Sequence, residues 1–212
     1  MLTLRPLQNA LNRIYRVDVS DPVDDFVQSM GEDHPHAARR EVVLVEERED
    51  GDAGIAVLLD ERVSAALRGE NSGGLSRFDA WCLALEGVSH FVLLAHRAAN
   101  DRPVSQLELE LQAEVDKFAV ALIDRVLFRA ASEAQVLSNR LRTALFERAR
   151  FLDDPDTISG VRYRLAHRWA ARYAASLERR YVREGRLSLL VEELRDFYRA
   201  SLSTKRAMAD AA

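Results

Sequence analysis

The stretch from Leu75 to Phe128 most constrains what this chain can fold into. It has the pattern of two long helices with a break at Asn100-Asp101-Arg102-Pro103. Ser76-Arg77-Phe78-Asp79 has capping-box spacing: the Ser76 hydroxyl can accept from the amide of residue 79, and the Asp79 carboxylate can reach back. From Ala80 to Ala95 the residues are almost all apolar, interrupted by Glu86, Gly87, Ser89 and His90. At about 100° per residue, Glu86 and His90 share one narrow stripe with Asp79, Cys82, Leu93 and Arg97. A helix apolar around the rest of its circumference is buried on most sides.

The second helix opens at another capping box, Ser105-Gln106-Leu107-Glu108. Leu107, Leu111, Val115, Phe118 and Leu122 recur at three- and four-residue steps. Leu107 to Leu111 also alternates like a strand, but the helical period continues well past it. Glu114 falls inside the apolar arc. A carboxylate there needs a cation or must take up a proton, and Lys117, one turn away, is the nearest cation.

Before this pair of helices the pattern changes. Leu4, Leu7, Leu11 and Ile14 mark a short amphipathic helix, and Tyr15 to Val19 alternates as a strand would. Asp21-Pro22 suits the start of a short helix through Met30, with Gly31 as its stop. Glu41–Glu47 and Gly54–Leu59 are the clearest strands, and Asp50-Gly51 makes them a hairpin. A lone hairpin is marginal in water, and Tyr15–Val19 is the expected third strand. Asp60 caps a helix ending near Gly69, and the polar, Gly-containing segment 70–74 is the best boundary.

After the central helices, Ser132-Glu133-Ala134-Gln135 is a third capping box, opening a helix to about Phe151. Asp153-Asp154-Pro155 breaks the chain. A helix from about Ile158 to Glu184 then stops at Gly185, and a last one starts near Ser188. The end beyond Lys205 has the composition of a frayed terminus. The expected fold is α+β: an N-terminal antiparallel hairpin layer with short helices over 1–74, then a bundle of about five helices over 75–212, built on the central helical hairpin, the whole forming one compact unit.

At 212 residues a substantial core is expected, and a net charge of −4 argues for neither nucleic acid nor membrane. The basic residues are 28 Arg and 2 Lys, the usage of a GC-rich, bacterial genome. A single cysteine, Cys82, fits a reducing, cytoplasmic compartment and, within an apolar run, a packed thiol. The N-terminus has no signal-peptide pattern, and no apolar run approaches the roughly 18 residues of a membrane helix.

Two constellations could carry function. Glu86, His90, Glu114 and His167 are two carboxylates and two imidazoles on helices expected to pack together, a set that could hold a divalent metal. The spacing departs from the Glu-x-x-His repeats of di-iron carboxylate bundles. Glu108, Glu110, Glu114 and Asp116 likewise lack the Glu-x-x-Glu and Glu-x-x-Asp pairs of all-helical nucleotide pyrophosphohydrolases. His34-Pro35-His36, with no carboxylate cluster beside it, suits a solvated loop.

The second constellation is Arg168, Arg172, Arg179 and Arg183, at steps of four, seven and four opposite the aromatic face of one helix. From Arg140 to Arg183 eleven Arg stand against five acids, a local net of +6 that leaves −10 on the remainder. An acidic protein suits this face; nucleic acid suits it poorly, because the aromatics that would stack bases lie on the opposite side. The leading expectation is a non-catalytic cytoplasmic protein that binds another macromolecule through this face, with no cofactor and no membrane. The competing one is a metal-dependent, hydrolase-like enzyme using the Glu/His set. The spacing carries no signal for an oligomeric state.

Overall fold

The computed structural model describes residues 3–47, 53–126 and 130–211. Within them lie eight α-helices and one three-stranded sheet near the N-terminus, an α+β fold. The chain clusters into two units: Met1–Asn12 with Val17–Pro103, and Arg13–Arg16 with Val104–Ala212.

Helix α1 (Arg5–Tyr15), whose residues up to Asn12 belong to the first unit and whose last turn belongs to the second, buries Leu11 and ends where Arg16 takes a positive φ of 51°. Residues 17–20 do not form the expected strand. Val17 and Val19 are buried as alternation requires, but the Val19 carbonyl that a strand would offer a neighbour is already used. The side-chain amide of Gln8 donates to Val19 O at 2.9 Å and Asp21 O at 2.8 Å, and Asn12 adds a bond to Val19 O at 3.1 Å. Gln8 Oε1 accepts from Val23 N at 2.9 Å, so one fully buried glutamine holds this whole segment against α1.

The third strand is instead β1 (Val27–Met30), in the segment expected to be helical. After Pro22 only a single 3-10 turn forms, over Val23–Asp25. β2 (Glu41–Glu47) and β3 (Ala53–Asp60) make the expected antiparallel pair, from Glu41↔Leu59 to Glu47↔Ala53; the Asp50-Gly51 turn lies outside the described residues. β1 joins the other edge of β3 in parallel, Val27↔Val57 to Met30↔Asp60, giving the order β1-β3-β2. β1 is short and half polar, so its own pattern is weak; the pairing with β3 specifies it.

Helix α2 (Glu61–Arg68) starts and stops on local signals: Asp60 accepts from Arg62 N at 2.8 Å, and Gly69 closes it at φ 78°. Helix α3 (Arg77–Ala98) begins at Ser76, whose hydroxyl accepts from Asp79 N at 3.0 Å. The Asp79 carboxylate meets that same hydroxyl, at 2.7 Å. Gly87 lets α3 lie close to the sheet, since a Cβ there would meet Val57 Cγ1 at 2.8 Å and Glu41 Oε1 at 3.1 Å. By length and composition α3 could cross a membrane, with a mean hydropathy of 1.4; 56% of that window is buried inside the protein. The expectation that no apolar run approaches the length of a membrane helix is corrected here, because the few polar residues of α3 do not bring its mean hydropathy below that of such a helix.

The second unit is helical. α4 (Gln106–Val126) is capped by Ser105, whose hydroxyl accepts from Glu108 N at 3.2 Å. α5 (Ala131–Arg142) starts before Ser132, with Ala130 at the cap, so the third capping box is not used. It runs into a π turn over Thr143–Glu147, short of Phe151. α6 (Ile158–Leu177) is capped by Thr157 and likewise ends in a π turn, Glu178–Val182, before Gly185. α7 (Leu187–Arg199) buries Leu190, Leu194, Phe197 and Tyr198, and Phe197 stacks on Tyr173 at 4.1 Å.

The chain end is not frayed. α8 (Leu202–Asp210) is capped by Ser201 and carries Lys205, which is fully buried.

Candidate functional site

Glu114 and His167, on α4 and α6, meet. His167 Nδ1 lies 3.0 Å from Glu114 Oε2, and its Nε2 lies 3.0 Å from the Phe146 carbonyl. A carboxylate and a carbonyl are both acceptors, so both ring nitrogens donate and the ring is the imidazolium. Burial works against that charge, but the Glu114 carboxylate holds the His167 pKa above its usual value. Phe146 and Phe151 flank the ring at 5.4 and 5.1 Å.

Glu114 also accepts from Lys117 Nζ at 2.7 Å. Its side chain is half-buried, 20% exposed, on the apolar arc. Burial opposes its ionisation, yet Lys117 first and His167 second prevail and bring its pKa down to about 2. The expected pairing with Lys117 is present, and the imidazolium is a second cation that helical phase does not reveal. With both oxygens and both ring nitrogens engaged, this pair ties α4 to α6 and to the π turn after α5.

The pair has a pH signature. Glu114 has a depressed folded-state pKa, so its contribution is present above about 4.3 and lost as pH falls toward the folded value. His167 has a raised one, so its contribution is present below about 6.5 and lost as pH rises through the folded value. Unfolding free energies of wild type and Glu114→Gln should therefore differ most between about pH 4.5 and 6.5, by on the order of 2 kcal/mol given partial exposure. A difference that is flat with pH would show that the pair contributes nothing.

Glu86 and His90 lie on α3, in the first unit. Glu86 is half-buried and His90 is 7% exposed; Leu93 and Arg97 on their stripe are buried too, while Asp79 at its start is exposed. His90 Nδ1 sits 3.6 Å from Glu41 Oε1 of β2, a partner supplied by the sheet. Cys82, on the same stripe, is a half-buried thiol. His34 Nδ1 accepts from His36 N at 3.2 Å, which commits that nitrogen to the loop's own backbone.

Arg168, Arg172, Arg179 and Arg183 are all exposed, as a stripe opposite the core face requires. Two are anchored: Arg172 to Asp210 at 2.9 Å, and Arg183 to the fully buried Glu178 at 2.9 Å. Among the described residues, no ion pair engages Arg168 or Arg179.

Sequence pattern missed a sealed polar ladder in the second unit. Lys205 Nζ donates to Glu108 Oε1 at 3.1 Å and Gln112 Oε1 at 3.0 Å. Gln112 Nε2 donates to Asp116 Oδ1 at 2.7 Å, and the Tyr15 hydroxyl donates to the same oxygen. Tyr15 stacks on Tyr198 at 4.2 Å, and burial, reinforced by Asp116, drives its pKa well upward. Glu108, Gln112 and Asp116 stand at steps of four on α4, and that spacing of polar groups within an apolar helix was the available signal. Closed to solvent, the ladder positions helices and offers no route to a substrate.

Compared with known proteins, the chain matches no family model, no curated protein and no solved structure.

Proposed function

We propose that this chain is a non-catalytic, cytoplasmic protein that works by binding an acidic protein through exposed arginines on α6 and the π turn that follows it. The observation that carries the reading is the common exposure of Arg168 and Arg172 on α6 and of Arg179 and Arg183 in and just after the π turn that ends it. Long cationic side chains held in water along a rigid helix steer an acidic partner and set its register. Arg172 and Arg183 are held in place by Asp210 and Glu178, while Arg168 and Arg179 offer their charge outward.

The reversal Arg168→Glu with Arg179→Glu should move stability by less than about 0.5 kcal/mol, because exposed charges contribute little. A large fall in melting temperature would show the stripe to be internal. The functional test compares wild type and this double variant, recovered from the same cells at low and high salt. An acidic protein held by wild type at low salt, and lost from the variant, is expected. The same co-purifying proteins from both would overturn the reading.

A further inference from the structure

The arginine face of α6 runs into a cleft. Trp169, Leu202, Ser203, Arg206, Ala207 and Asp210 line an open space of about 510 Å³ between α6 and α8. Trp169 is 8% exposed, so the indole is a wall and not a protrusion. Arg206 lies 5.8 Å from the ring centroid and bonds Asp210 at 3.4 Å. Asp210 also accepts from Arg172 at 2.9 Å, so one carboxylate joins the cleft's cation to the stripe's. Arg168 stands one turn before Arg172 on the same exposed face. Two exposed guanidiniums therefore flank the one carboxylate of the cleft, Arg206 in its lining and Arg172 bonded to Asp210, with Arg168 one turn further along α6.

Resting on the proposed function, we infer that this cleft is the anchor point for an acidic peptide segment carrying a large aliphatic side chain. That side chain would fill the space against Trp169, Leu202 and Ala207, while its neighbouring carboxylates pair with Arg168, Arg172 and Arg206. An apolar pocket rimmed by arginines has the anatomy of a protein-binding centre, with an apolar anchor inside and charges that fix register outside. Charge complementarity selects an acidic occupant. The apolar lining selects a peptide over a polyanion without side chains. A nucleobase would have to displace Arg206 from the indole to stack there.

The test uses the full chain with Trp81→Phe, which leaves Trp169 as the one indole of the two in the sequence. Two synthetic peptides are titrated at low and high salt: three glutamates on each side of a leucine, and the same with serine at the centre. The leucine peptide is expected to shift Trp169 emission to the blue and bind about tenfold more tightly, the return for burying one aliphatic side chain. Both peptides should weaken with salt. Ala207→Phe, from an exposed position, fills the cleft and should reduce the leucine peptide to the level of the serine peptide, with Ser203→Phe as a second filler if the first unfolds. Equal, salt-dependent binding of the two peptides would overturn the cleft and leave the arginine-face reading standing. Binding of neither would overturn both. A larger shift with phosphatidylglycerol vesicles or oligothymidylate would assign the cleft to lipid or nucleic acid and overturn the inference. So would self-association of the protein that occupies the cleft.

Discussion

Lys205→Ala is expected to lower the unfolding free energy by about 3–5 kcal/mol, the loss that follows when one member of a buried ion pair is removed. Lys205 is fully buried, and its ammonium bonds Glu108, itself 5% exposed, and the Gln112 carbonyl oxygen. The ring of Phe197 lies 5.4 Å from the same nitrogen. Removing the cation leaves the Glu108 carboxylate in an interior it entered with that partner, and opens a cavity where the lysine stem ran. Lys205→Met keeps the stem and separates the two effects: a cost close to that of alanine assigns the loss to charge. Glu108→Leu with Lys205→Met should recover most of the loss, because an apolar pair of similar volume replaces a buried ion pair at little cost. Urea unfolding of wild type, Lys205→Met, Glu108→Leu and the double variant as a cycle, with Lys205→Ala beside it, measures this at neutral pH. If Lys205→Ala costs less than about 0.5 kcal/mol, as an exposed substitution does, then α8 is not docked through this residue.

Glu178→Ala should be nearly as damaging, at about 3 kcal/mol or more. The Glu178 side chain is fully buried in the π turn that ends α6. Its oxygens accept from the buried Ser138 hydroxyl at 2.9 Å, Arg142 at 3.3 Å and Arg183 at 2.9 Å. Turned to donate, the Asn139 amide lies 3.1 and 3.0 Å from the two oxygens. Burial opposes the charge, but Arg183, Ser138 and Arg142 together hold the Glu178 pKa below its usual value. Its contribution is therefore present above about 4.3 and lost as pH falls through the folded value. The single carboxylate ties α5 to the end of α6, so alanine leaves a buried hydroxyl and a guanidinium to find other acceptors. Arg183→Ala should cost much less, because that side chain is 47% exposed and its loss leaves Arg142 in place. Equal costs for Glu178→Ala and Arg183→Ala would contradict this picture.

Of the expected site residues, Glu114 and Lys117 pair as their spacing of three on one helix implies, and the arginine stripe is exposed as its opposition to the aromatic face implies. Those relations lie within one helix, where 3.6 residues per turn decides who faces whom. The imidazole that completes Glu114 is 53 residues away, and no local periodicity reports it. The two residues on α3 were legible as polar groups in an apolar helix, but not the strand residue that His90 meets.

The same division runs through the fold. The starts of α2, α3 and α4, the stop at Gly69 and the β2–β3 pair were determined by the sequence alone, because a cap or a tight hairpin register involves residues within a few positions of one another. Tertiary structure decided the rest. Residues 17–20 alternate as a strand does, yet Gln8 and Asn12 both bond the Val19 carbonyl that a neighbouring strand would have used. Val27–Met30 becomes a strand because β3 has a free edge for it. The last turns become α8 because Lys205 finds Glu108, a partner 97 positions earlier. A charged residue near a chain end reads as solvated until a distant group supplies its counter-charge, and only the folded arrangement brings the two together.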